Sequence, residues 1–130
     1  MCINNPQHYP LEKVQAFKVM VKSTRHEGSY RPVFALPSYY DDRNFYKNEL
    51  YLCKNHYGFH ACLSYEDAIK IVKTNINKWD LSMYTADNLD KLVIVLVELS
   101  DNICYGQNDS KSPLQVKGNN MKILGEVILN

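Results

Sequence analysis

The densest set of side chains able to do chemistry lies between Cys53 and Cys62, where Cys53-x-x-His56-x-x-x-His60-x-Cys62 places four thiol and imidazole groups within ten residues. Zinc accepts both ligand types, so Cys53, His56, His60 and Cys62 are the candidates for any metal site. Structural zinc sites, however, draw on two separated ligand pairs such as C-x2-C and H-x3-H, and no second pair is present. The expectation is no metal, with the cysteines in the core and the histidine hydrogen-bonded. If Gly58 to Cys62 is a strand, His60 and Cys62 share one face, Phe59 and Ala61 share the other, and Cys53 on the preceding strand lies across from them. That geometry does not make a nucleophile. A thiol activated by imidazole needs contact with it, whereas neighbours on one strand face stand parallel, about 6 to 7 Å apart at Cα. Nothing in the spacing favours Cys104 with His56 or His26.

Two carboxylates, Glu98 and Glu126, sit inside apolar runs. Burial would raise their pKa and suit them to general-base work, but an unpaired Glu is almost never fully buried, so solvent-facing or strand-end positions are expected. Neither G-x-x-x-x-G-K-[ST] nor G-x-G-x-x-G occurs, which argues against a P-loop or Rossmann enzyme. Lys70, Lys73 and Lys78 read as a solvated helix face rather than a nucleic-acid surface.

Binding chemistry concentrates in Pro37-Ser-Tyr-Tyr-Asp-Asp-Arg-Asn-Phe-Tyr46. Its turn formers predict a surface excursion, and Tyr, Arg and Phe are favoured interface anchors. Tyr39, Tyr40, Arg43, Phe45 and Tyr46 are therefore the expected binding residues.

The elements that must position these groups follow from periodicity. Val14 to Val21 alternates imperfectly and predicts a strand paired with Tyr30 to Leu36. Leu50 to Cys53 and Gly58 to Cys62 predict two short strands. Ser64 can cap a helix over about 65–75, with Tyr65, Ala68, Ile69 and Val72 on one face and acidic and basic residues placed to suit its dipole. Lys91 to Leu99 is apolar on both faces and predicts a central strand. Ile103 to Tyr105 gives a short strand, and Gly118-Asn119-Asn120 between apolar runs signals a hairpin leading into a last strand, Met121 to Leu129. The segment from Trp79 to Asp90 has no period. The fold class is α+β: a single domain over 1–130, mainly antiparallel twisted sheet of 5–7 strands with one helix, and residues 1–12 as a loosely attached arm.

At 130 residues the chain can bury a core without staples, and 15 basic against 14 acidic residues disfavour general nucleic-acid binding. The longest apolar run, Leu92 to Val97, is far too short to span a bilayer. Residues 1–10 show no basic start or apolar core of a secretory signal, so a cytoplasmic protein with reduced cysteines is expected, with no membrane partner.

The order Ala16-Phe-Lys18, Leu52-Cys53, Gly58-Phe59-His60-Ala61-Cys62, a capped helix with Asp67-Ala68, Val95-Leu-Val-Glu98 and Ile123-Leu-Gly-Glu126 resembles a family of uncharacterised bacteriophage and bacterial domains. An opening "AFK" strand and a "GFHAC" box mark that family. The resemblance spans most of the chain from about Val14, with longer inserts between Tyr30 and Tyr51 and between Ile76 and Lys91. It implies no activity. A weaker likeness is to ADP-ribosyltransferase-like folds, in which a glycine-aromatic strand leads into a helix and an apolar strand. That likeness implies NAD in a cleft lined by His60 or Tyr65, with Glu98 or Glu126 as the acidic residue. Phe17-Lys18 stands where such enzymes carry an Arg or His.

The functional expectation is a phage-derived binding or inhibitor protein acting on a host or defence component, with no cofactor. The alternatives are an ADP-ribosyltransferase-like enzyme handling NAD and a protein that sequesters a small nucleotide ligand.

Overall fold

Apolar alternation builds the longest strands of the computed structural model, which describes residues 3–22, 26–32, 43–54, 58–76, 92–107 and 114–127. In chain order the elements are β1 (Asn4–His8), β2 (Lys13–Lys22), β3 (Ser29–Pro32), β4 (Phe45–Tyr46), β5 (Leu50–Leu52), β6 (Phe59–Cys62), α1 (Tyr65–Ile76), β7 (Leu92–Ser100), β8 (Cys104–Gln107), β9 (Gln115–Gly118) and β10 (Asn120–Glu126). Ten strands form among the described residues, where 5–7 were expected, and every strand pairing is antiparallel. The surplus comes from short, polar or aromatic strands that carry no alternation of their own.

β2 and β7 are the spine. They pair over the whole run from Lys13↔Ser100 to Val21↔Leu92, so β7 is central as its two-sided apolarity predicts. Beyond β7 lie β10 and then β5. On its other edge β2 pairs with β3 near its end and with β6 at Phe17↔Cys62. β3 pairs with β4, and Lys47, just past β4, bridges Ile123 in β10. The path β2, β3, β4, β10, β7 therefore returns to β2. From β6 a second wing runs through β9 and β8 to β1.

The two faces of β2 bury different clusters. Val14, Ala16 and Met20 join Tyr30, Phe45, Phe59, Ala61, Val95, Val97, Val116 and Ile123 in the main core. Val19 and Val21 join Ile94, Cys62 and Ala68 of α1 in a second cluster on the other face. Each fully buried aliphatic side chain contributes roughly 1.5–3 kcal/mol through area removed from water.

α1 starts where the sequence places it. The Asp67 N–H donates to Ser64 Oγ at 3.2 Å, satisfying one of the first-turn donors left without a helical partner. Glu66 and Asp67 lie in the first turn and Lys73 in the last, as the dipole favours.

Three expectations need correction. Asn4–His8 is no loose arm but a strand on β8, at Gln7↔Tyr105 and His8↔Cys104. Gly118-Asn119 is not a hairpin turn: β9 pairs with β6 and β8, whereas β10 pairs with β7 and β5, so the chain changes partners at a corner. Asn119 pins that corner, its N–H donating to Asp101 O at 2.9 Å and its own carbonyl accepting from Cys53 N–H at 2.8 Å. Phe45-Tyr46, expected in a surface excursion, is β4. The predicted strand from Val33 to Leu36, the segment 77–91 and the end of the last strand lie outside the described residues.

Candidate functional site

Burial divides the Gly58–Cys62 box as strand geometry predicts. Phe59 and Ala61 belong to the main core, and Cys62 to the cluster under α1. Cys62 is 2% exposed. Burial, and then the Asp67 carboxylate, push its thiol up to about 11, leaving little thiolate for nucleophilic or ligand chemistry. His60 is half-buried on the same face as Cys62, and burial followed by the charges of Lys18 and Lys117 brings its pKa down to about 3. The imidazole is thus neutral at physiological pH. Lys18 Nζ donates to the His60 carbonyl oxygen at 2.6 Å.

Cys53 does not join them. It packs against the main core and its thiol faces Asn119 Oδ1 at 3.9 Å. His56 lies outside the described residues. Among the described residues no three His, Cys, Asp or Glu side chains gather into a metal-holding group.

Register reveals a row that spacing does not. His8↔Cys104, Cys104↔Lys117 and Lys117↔His60 are directly opposed pairs, and opposed residues share a sheet face. His8, Cys104, Lys117 and His60 therefore cross the wing as one line. Cys104 lies between an imidazole and an ammonium, a setting invisible in sequence because its members are far apart along the chain.

The carboxylates occupy two unrelated places. Glu98 is half-buried beside Lys13 Nζ at 3.7 Å, a mostly exposed pair of little energetic weight. Glu126, at the end of β10, accepts from Tyr30 O–H at 2.8 Å and lies 3.0 Å from Lys22 Nζ. Burial alone would raise the Glu126 pKa, but the Lys22 and Tyr30 hydrogen bonds and the Lys22 charge outweigh it and lower it. Burial and then Glu126 push the Tyr30 hydroxyl up to about 12. Tyr65 opens α1 and packs edge-on against Phe17. The register sets His60 and Glu98 about two strand spacings and four residue rises apart, on the order of 15 Å. Glu126 opposes Val95, whose side chain joins the main core on the sheet face opposite that of Cys62. Neither carboxylate therefore stands beside His60.

The aromatic segment changes meaning. Phe45 is 1% exposed, packed edge-on against Tyr51 and Phe59 at centroid distances of 4.8 and 5.7 Å. It is core, which overturns its expected role as a binding anchor: an aromatic residue in a polar segment served to plug the main core. Arg43 lies over Phe45 and Tyr51, 5.2 and 5.7 Å from the ring centroids, and donates to Leu52 O at 2.8 Å. Tyr46 is exposed, and its N–H donates to Tyr51 Oη. Tyr39 and Tyr40 lie outside the described residues.

The sequence marks β5 as a short strand but not the outward face it presents. Leu50 and Leu52 are 58% and 61% exposed while Tyr51 between them turns inward. β5 ends the strand order on one side and β1 on the other. The β1 edge is blunted by Pro6 and by a register shift between Asn4 and Gln7, two devices that discourage strand addition. Among the described residues the β5 edge has neither. A shallow groove of about 470 Å³ lies between the β1–β2 link and the β7–β8 turn, lined by Tyr9, Leu11, Glu12 and Asp101 among others.

Among the described residues, no helix is long and apolar enough to cross a membrane. No protein-family model, no curated protein and no solved structure matches the chain.

Proposed function

We propose that this is a binding protein that works by engaging another protein through the β5 margin, without chemistry of its own. The observation that carries the reading is the pair of outward leucines, Leu50 and Leu52, more than half exposed on the strand that ends the sheet order. Apolar side chains on an open strand edge invite a partner or aggregation, and folded proteins otherwise avoid them. Exposed Tyr46, whose N–H donates to Tyr51 Oη, and half-buried Arg43, on Leu52 O, adjoin the same strand, and both residue types favour interfaces. The separation of His60 from Glu98 and Glu126 favours binding over an NAD-handling site that uses His60. The phage-like sequence order makes a bacterial host or defence protein the partner class to try first.

The test is capture from bacterial lysate on immobilised protein, comparing wild type with Leu50→Lys/Leu52→Lys. Because both side chains already face water, the double variant should keep its melting temperature while its specific captured protein is lost. Identical capture by the two proteins sinks the reading.

A further inference from the structure

We infer that the β5 edge receives a segment of the partner as an added strand, apolar at alternate positions and carrying carboxylates at its ends. This rests on the protein-binding reading above and states its mode and chemistry.

Backbone direction comes first. Cys53 N–H bonds Asn119 O at 2.8 Å, and Tyr51 opposes Met121. Antiparallel ladders alternate bonded and non-bonded pairs, so residues 51 and 53 turn their backbone groups to β10. Leu50 and Leu52 turn theirs away from the sheet. The Arg43 guanidinium on Leu52 O shows one of those outward acceptors engaged by a donor from outside β10. An added strand would find the outward groups of Leu50 and Leu52 at the spacing a ladder requires, with the two leucine side chains setting an apolar preference at alternate positions.

Charge fixes the rest. Lys54 follows β5 and Arg43 lies on Leu52 O, while Lys47, before β5, reaches over Gly125 and Lys122 stands between Leu50 and Glu98. Against these stand two carboxylates, Glu49, which accepts from Tyr51 O–H, and Glu98 opposite Lys122, so the described margin stays basic. Cations outnumber carboxylates around β5, so a strand bracketed by Asp or Glu is favoured over one bracketed by Lys. A second copy of this chain, by contrast, would set these cations against their own kind, which disfavours pairing of β5 with itself.

The experiment uses the full ¹⁵N-labelled chain and two blocked peptides, Glu-Val-Thr-Val-Thr-Val-Glu and its counterpart with Lys at both ends. The acidic peptide should shift the Leu50 and Leu52 amide resonances, slow their hydrogen exchange, and bind at least about ten-fold more tightly than the basic one, a difference of about 1.4 kcal/mol. Leu52→Pro removes an outward N–H that β10 does not use, at an edge position where proline is tolerated, so it should abolish peptide binding and leave melting within a few degrees of wild type, while Leu52→Val retains binding. The inference is overturned if millimolar acidic peptide leaves the Leu50 and Leu52 amides unmoved, or if the basic peptide binds equally. It is also overturned if a single-stranded oligonucleotide moves the same amides more strongly, or if these amides move only on concentration-dependent self-association. Lysate capture that depends on Leu50 and Leu52 alongside silent peptides would reject strand addition and keep the binding reading; capture indifferent to both leucines rejects the reading itself.

Discussion

Gly58 and Gly118 approach so closely that a Cβ on Gly58 would stand 2.9 Å from the Gly118 carbonyl oxygen. Gly58 also has a φ of +72°, in the left-handed region. The contact holds the entry of β6 against the corner at which β9 passes into β10.

Gly58→Ala should therefore combine a backbone penalty with a clash against main chain, which cannot rotate aside. Gly28 separates the two effects, since its φ is +81° but nothing lies within 4 Å of the place a Cβ would take there. Gly28→Ala should cost about 1 kcal/mol, and Gly58→Ala about 2–3 kcal/mol, near the upper end for such strain. Thermal melts of the two variants decide it: equal shifts would mean that the Gly58–Gly118 approach carries no energy.

Thiol reactivity should follow burial. Cys53 and Cys104 are half-buried, whereas Cys62 is enclosed and its thiol is pushed up to about 11. At pH 8 a thiol of that pKa is about one-thousandth thiolate, and thiolate is the reacting species. Iodoacetamide followed by site-resolved mass spectrometry should label Cys53 and Cys104 well before Cys62, which reacts only after unfolding. Early labelling of Cys62 would show that α1 does not seal its cluster.

The Tyr30–Glu126–Lys22 group makes stability pH-dependent at both extremes. Glu126 has a folded pKa below its ordinary 4.5. Its contribution is present above 4.5 and disappears as pH falls through the lower, folded value. Tyr30 is raised from 10.0 to about 12, so its contribution is full below pH 10 and is lost as pH rises towards 12. Glu126→Gln should lower the melting temperature at pH 7, with the gap closing in acid below the carboxylate range. A gap that persists in acid would mean that packing, not charge, sets the effect.

How much of this was legible depended on whether a residue's own neighbours in sequence fixed its environment. β2, β7 and α1 were readable because alternation, two-sided apolarity and the Ser64 cap are local signals. β1 was not, since Asn-Asn-Pro-Gln-His has no apolar period and is a strand only because β8 offers it a ladder. Gly118-Asn119 uses the residue types of a hairpin turn, and only the partners of β9 and β10 make it a corner. The opposite faces of Phe59 and His60 followed from a period of two. The burial of Phe45 and the exposure of Leu50 and Leu52 did not, because the same residue type serves core and edge and the pairing across the sheet decides which.

The contact between Lys18 and His60 gives the last prediction. Among the described residues β2 and β6 share one pair, Phe17↔Cys62, so the Lys18 ammonium on the His60 carbonyl at 2.6 Å ties the two strands where no backbone ladder does. Lys18→Met should remove a charge-assisted hydrogen bond and cost about 1–2 kcal/mol. The same substitution should act on the imidazole, whose pKa falls from 6.5 to about 3 through burial and then through Lys18. Because the folded value is depressed, the associated stability is whole above pH 6.5 and drains away as pH falls from 6.5 towards 3. In wild type the His60 ring resonances should stay at their neutral positions down to about pH 5. In Lys18→Met they should begin to titrate at higher pH, yet still below 6.5, because burial remains. An imidazole that titrates near 6.5 in wild type would mean that water reaches it freely, and a Lys18→Met variant with an unmoved midpoint would mean that burial alone sets its charge.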